Sequence, residues 1–187
     1  MIVPPRPTTW VALTGFMGVG KSRIGKEVAK ELMLNFIDLD RYIEHGFGLK
    51  IPEIFASLGA EGFRCLEHEA VQEVVKRDYL VVALGGGTFI DPENRSLLLT
   101  RGPVVSLWAD PEVIYRRVKR NLASRPLLNR NNDPKSIIGE LLAERQDAYR
   151  EATIHVDSGD RSAVLVAKEL IAKLWSWSEE HRARLSG

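Results

Sequence analysis

One cysteine, Cys65, is all the thiol chemistry these 187 residues contain. An intramolecular disulfide is therefore impossible and a cysteine-rich metal site is excluded, so a reducing, cytoplasmic setting is expected. Long apolar runs are missing too; none approaches the roughly 18 residues a membrane helix needs. The opening stretch, Met1 to Trp10, holds three prolines and no apolar segment, so no secretory signal is expected. Neither sign of charge dominates. Lys and Arg number 26 against 25 Asp and Glu, a net charge of +1. No global field is present that would coat nucleic acid or hold an anionic membrane, and neither is expected as a partner. There is no internal repeat and no low-complexity segment. What is present is 44% hydrophobic and 27% charged, as in ordinary soluble proteins. The length suits one domain at about 100–200 residues each.

Short apolar runs alternate with longer helical patterns. Trp10 to Thr14 reads as a strand ending in Gly15, and Ser22 to Leu34 places Ile24, Val28, Ala29 and Leu32 at helical spacing. Asn35 to Asp38, Leu80 to Leu84, Pro103 to Trp108 and Thr153 to Asp157 read as four further strands. Helices are expected from Pro111 and from about Ser162 to Trp177. Strands apolar on both faces and separated by helices predict a doubly wound α/β domain with a parallel sheet. Two stretches break the rhythm. Residues 40–79 insert two or three helical segments, and residues 116–132 are rich in arginine, without an acidic residue before a turn-rich end. Insertions of this kind commonly bind ligands or act as lids.

Gly15-Phe16-Met17-Gly18-Val19-Gly20-Lys21-Ser22 matches G-x-x-x-x-G-K-[ST], between a strand and a helix. A loop that wraps a phosphate must turn successive N–H groups inward, which glycines permit, while the following helix aims its positive end at the anion. Lys21 then reaches the β- and γ-phosphates, and the Ser22 hydroxyl ligates Mg²⁺. No aspartate closes the third strand, where Leu84 runs into Gly85-Gly86-Gly87. Asp38-Leu39-Asp40, at the end of the second, is the nearest source of carboxylates. One aspartate can face the metal and the other an acceptor; equally, Asp40 can simply cap a helix starting near Arg41.

Charges also fall where apolar residues are expected. On the helical segment Gly62 to Lys76, Glu67 lies near the middle of an arc formed by Phe63, Leu66, Ala70, Val71, Val74 and Val75, with Arg64 inside it. On Ile137 to Tyr149, Arg145 is near the centre of the arc. All three are expected to point inward. Arg64 and Glu67 can pair, three residues apart. Arg145 has no local partner, which points to an anionic ligand, with structural ion pairs in the core as the alternative. The triple glycine lies at a strand's carboxyl end, where ligands bind in open α/β sheets. Arg125, in the basic stretch, can fold over a triphosphate.

These residues, in this order, together resemble the shikimate kinase family over about Val11 to Ala172: the phosphate loop, Asp38-Leu39-Asp40, Ile54-Phe55 ahead of Gly62-Phe63-Arg64 and Glu67, Gly85-Gly86-Gly87, Arg125-Pro126-Leu127-Leu128, and Arg145 with Tyr149. The resemblance implies a P-loop fold of the nucleoside-monophosphate-kinase type, a five-stranded parallel sheet of order 2-3-1-4-5. It implies a shikimate-binding insertion at about 40–79 and a lid at about 116–132, within a single domain spanning 1–187. The implied reaction moves the ATP γ-phosphoryl group to the 3-hydroxyl of shikimate, with ATP and shikimate as the small-molecule partners. By the same resemblance Asp40 holds the acceptor and takes its proton, and Asp38 with Ser22 serves Mg²⁺. Gly18, Val19, Gly20, Lys21 and Ser22 bind ATP, Arg64 and Arg145 clamp the acceptor carboxylate, and Glu67 orients Arg64. Gly85, Gly86 and Gly87 contact the substrate, Arg125 comes from the lid, and Arg117 and Arg161 flank adenine. A monomer is expected. Gly59-Ala60-Glu61-Gly62 departs from the Gly-Glu the family places before Phe-Arg.

Overall fold

The apolar runs form the strands because a chain segment buried on both sides must satisfy its backbone laterally, and a parallel sheet does so. The computed structural model describes residues 6–119 and 133–185. In chain order the elements are β1 (Trp10–Thr14), α1 (Lys21–Leu32), β2 (Asn35–Asp38), α2 (Leu39–Phe47), α3 (Ile51–Val75) and β3 (Leu80–Ala83). There follow α4 (Pro92–Arg101), β4 (Val104–Trp108), α5 (Pro111–Val118), α6 (Pro134–Arg150), β5 (Ile154–Asp157) and α7 (Ala163–Leu185). The sheet has five strands in the order β2-β3-β1-β4-β5, and every pairing is parallel. This is the expected order.

Alternation along β1 divides the core in two. Val11 and Leu13 face one layer with Ile24, Val28, Ile114, Val166 and Leu170, drawn from α1, α5 and α7. Trp10 and Ala12 face the other with Leu39, Ile54, Phe63, Val71 and Leu98, drawn from α2, α3 and α4. The central strand is buried throughout, whereas the edge strand β2 is only partly covered. Because all strands run the same way, their carboxyl ends share one rim. Asp38 is in register with Ala83, and Ala83 with Leu13, so the segments that follow β1, β2 and β3 emerge side by side.

The insertion contains three helical segments, since α3 is broken at Gly59, where φ is 71° and ψ is −174°. The last helix runs past the expected end at Trp177. Trp177 packs on the first core layer, Ser178 is buried, and His181 stacks on the Trp177 ring at 5.1 Å between centroids. A polar run whose burial comes from a neighbouring element carries little periodicity of its own, so the sequence under-reads its length.

Candidate active site

The loop between β1 and α1 carries the phosphate motif. Gly15 adopts a φ of 130°, and a Cβ there would lie 2.1 Å from the Leu107 carbonyl oxygen, so any side chain is excluded on two counts. Gly20 caps α1 without a side-chain acceptor, and no acidic residue occupies the first turn. The positive end of α1 and its N–H groups are therefore left to an external anion. Lys21 Nζ donates to the carbonyls of Gly15 (2.7 Å) and Phe16 (3.2 Å), which keeps the ammonium within the loop.

Ser22 and Asp38 meet at the same rim, with the Ser22 hydroxyl donating to Asp38 Oδ2 at 2.5 Å. The other Asp38 oxygen accepts from the Arg41 N–H at 3.3 Å, so Asp38 is the N-cap of α2. This corrects the alternative in which Asp40 is the cap. β2 stops at Asp38, and the helix begins one residue later, which carries Asp40 into its first turn. A hydroxyl and a carboxylate oxygen side by side form a hard donor set suited to Mg²⁺. Among the described residues no cluster of three His, Cys, Asp or Glu side chains competes as a metal site.

Asp40 is partly buried, and its carboxyl is pushed up to about 6, chiefly by burial. Lys21 pulls it down, while Asp38, Glu67 and Glu44 repel its charge. The loop after β3 runs directly against this group. A Cβ on Gly85 would stand 2.6 Å from Asp40 Oδ1, 2.9 Å from Thr88 Oγ1 and 3.0 Å from Glu67 Oε1. At Gly87 it would stand 2.8 Å from Arg64 Nη1. Gly85 thus leaves room for three side-chain oxygens that converge on it, while at Gly87 the neighbour is the movable end of Arg64.

Glu67 is 1% exposed, the inward charge expected of it. One of its oxygens accepts from Arg64 and the other from the buried Thr88 hydroxyl at 2.6 Å. The two arginines depart from expectation. The Arg64 side chain is 49% exposed, and Arg145 is partly buried, donating to the Gly86 carbonyl at 3.0 Å over the Phe16 ring. Helical arcs treat a helix face as uniform, but here Arg64 and Arg145 lie beside the glycine loop that follows β3 and not in either apolar cluster. Tyr149, one turn after Arg145, also donates to Gly86 O at 3.2 Å, and burial pushes its phenol pKa up. Arg64 and Arg145 thus converge on consecutive peptides of one loop, beside Asp40.

Arg117 donates to the carbonyls of Gly18 (3.2 Å), Val19 (3.5 Å), Ser158 (2.7 Å) and Gly159, joining the phosphate loop to the turn after β5. Arg161, at that same turn, donates to Asp157 O at 3.1 Å and pairs with Glu169 at 2.5 Å. Arg125 and most of the basic stretch lie outside the described residues. Thr88 escapes the sequence reading; its signal is a hydroxyl immediately after the triple glycine.

The family model described as shikimate kinase matches residues 17–175 of this chain. A shikimate kinase of Thermus thermophilus is 56% identical over 179 residues, which are 96% of this chain and 97% of that protein. A shikimate kinase of Deinococcus radiodurans is 50% identical, covering 95% of this chain and 89% of that one. A solved structure of a shikimate kinase from Acinetobacter baumannii in complex with shikimate gives a TM-score of 0.86 at 35% identity, over 90% of this chain and 94% of that one.

Proposed function

The chain belongs to the shikimate kinase family and transfers the γ-phosphoryl group of ATP to the 3-hydroxyl of shikimate; from that premise we propose how its residues divide the work. The backbone N–H groups of Gly18, Val19, Gly20, Lys21 and Ser22, with the Lys21 ammonium, bind the phosphates. Ser22 and Asp38 would hold Mg²⁺, which when bound supplies positive charge against the β- and γ-phosphates. Asp40 receives the proton of the 3-hydroxyl as that oxygen bonds to phosphorus and the ADP oxygen departs. Its value of about 6 leaves it mostly ionised at neutrality while making it a better proton acceptor than an ordinary carboxylate. Arg64 and Arg145 receive the carboxylate of shikimate, Glu67 orients Arg64, and the 85–87 backbone faces the hydroxyls. Arg117, Arg161 and Arg125 keep the nucleotide roles the family resemblance gives them. The lone exposed Cys65 thiol suits a cytoplasmic enzyme.

The observation that carries the reading is the convergence of two guanidinium groups on Gly86 and Gly87, next to a partly buried aspartate at the phosphate-loop rim. Replacing Arg145 by alanine should raise the KM for shikimate by about 10–100-fold, the range expected for losing a hydrogen bond to a charged group. The KM for ATP should stay within about twofold, since no phosphate contact is removed. Coupled detection of ADP release measures both. Loss of ATP binding with shikimate binding intact would show that the clamp is misassigned.

A further inference from the structure

We propose that Thr88 is a positioning residue for acceptor binding, its buried hydroxyl holding Glu67 so that Glu67 holds Arg64 beside Gly87. The proposal rests on the reading of Arg64 as part of the carboxylate clamp.

Glu67 divides its oxygens between two donors. Oε2 takes Arg64, and Oε1 takes Thr88 at 2.6 Å. Thr88 is 0% exposed, and its own N–H is tied to Gly85 O at 3.3 Å, so its hydroxyl has a fixed origin. An ionised carboxylate can only accept hydrogen bonds, so the proton in the Thr88–Glu67 bond must come from Thr88. Three oxygens, on Asp40, Thr88 and Glu67, gather within 3.0 Å of the point where a Gly85 Cβ would stand. Two of them belong to carboxylates that repel each other. Thr88 is the donor in that group, and its hydrogen bond keeps Oε1 turned inward, which leaves Oε2 facing Arg64. Without it Glu67 loses a fixed orientation in a buried place. Arg64 has a half-exposed side chain and rests on the Phe63 ring at 5.6 Å, so it would be freed to take other rotamers.

Thr88→Val keeps the shape of the side chain and removes the hydroxyl. We expect the KM for shikimate to rise about tenfold, as for a lost hydrogen bond to a charged group, with the KM for ATP unchanged. Thr88→Ser should restore most of the loss, and Thr88→Ala carries the same expectation as valine if the valine protein does not fold. In an Arg64→Ala background, Thr88→Val should add no more than about twofold, because its effect travels through Arg64. An unchanged shikimate KM in Thr88→Val, a fully additive double variant, or an equal loss of ATP affinity would overturn the proposal. If Arg64→Ala alone leaves the shikimate KM unchanged, the clamp reading itself fails, and this proposal fails with it.

Discussion

Replacing Asp40 by asparagine should make the protein more stable at neutral pH and almost inactive. The carboxyl titrates at about 6 instead of 3.8, because burial and the charges of Asp38, Glu67 and Glu44 outweigh the pull of Lys21. A carboxyl raised in this way binds more protons in the folded than in the unfolded chain between those two values. Its favourable contribution is complete below pH 3.8 and is lost as the pH rises through about 6. Moving a titration by one on the pH scale corresponds to about 1.4 kcal/mol, so carrying the ionised group costs the fold about 3 kcal/mol at neutrality. Asparagine keeps the shape and never ionises. Asp40→Asn should therefore gain up to about 3 kcal/mol near pH 7 and little near pH 4. Urea unfolding followed by circular dichroism, in chelator and without nucleotide, measures this across that range. The difference between the two proteins should open as the parent's carboxyl ionises. A difference that does not change with pH, or a less stable variant at neutrality, would refute the reasoning. Turnover should fall by at least about 100-fold, the scale of general-base catalysis, while ATP affinity is kept. The parent's rate should decline on the acid side of about 6, where Asp40 is protonated.

Two further outcomes follow from the same rim. Gly85→Ala would press a methyl group against Asp40, Thr88 and Glu67 at 2.6–3.0 Å. It should lower the unfolding free energy by about 1–3 kcal/mol in denaturant titration and reduce kcat/KM for shikimate by about 100-fold; unchanged kinetics would mean the loop is free to move aside. Asp38→Asn keeps a good helix cap and removes the charge, so thermal stability should be nearly unchanged while the Mg²⁺ concentration for half-maximal rate rises at least about tenfold. An unchanged metal requirement would restrict Asp38 to capping.

How legible each part was depends on how local its physics is. The phosphate loop depends on glycine spacing and a helix start, both local, and Gly15 to Ser22 stand where the motif puts them. The roles of Asp38 and Asp40 turn on where α2 starts, because beginning it at Leu39, two residues before Arg41, makes Asp38 the cap and puts Asp40 in the first turn. β2 ends at Asp38 as the sequence places it; the cap stays ambiguous because both aspartates suit that position by type, and only the Asp38 oxygen accepting from the Arg41 N–H decides between them. Glu67 is legible as an inward charge, and the same arcs point Arg64 and Arg145 inward, whereas Arg64 is exposed and Arg145 only partly buried. Helical periodicity gives direction around an axis without saying where along that axis the core ends. Thr88 stayed hidden because a buried threonine beside glycines is common, and only its distance to Glu67 gives it meaning.

The nucleotide cradle hangs from β1, which is paired on both sides and covered on both faces, while the acceptor side depends on the edge strand β2 and a helix broken at Gly59. Local opening should therefore begin on the acceptor side, at less than the cost of global unfolding. On warming or in mild denaturant, selectivity for the alcohol should fade while the grip on ATP persists, leaving a half-competent enzyme in which water is the remaining acceptor.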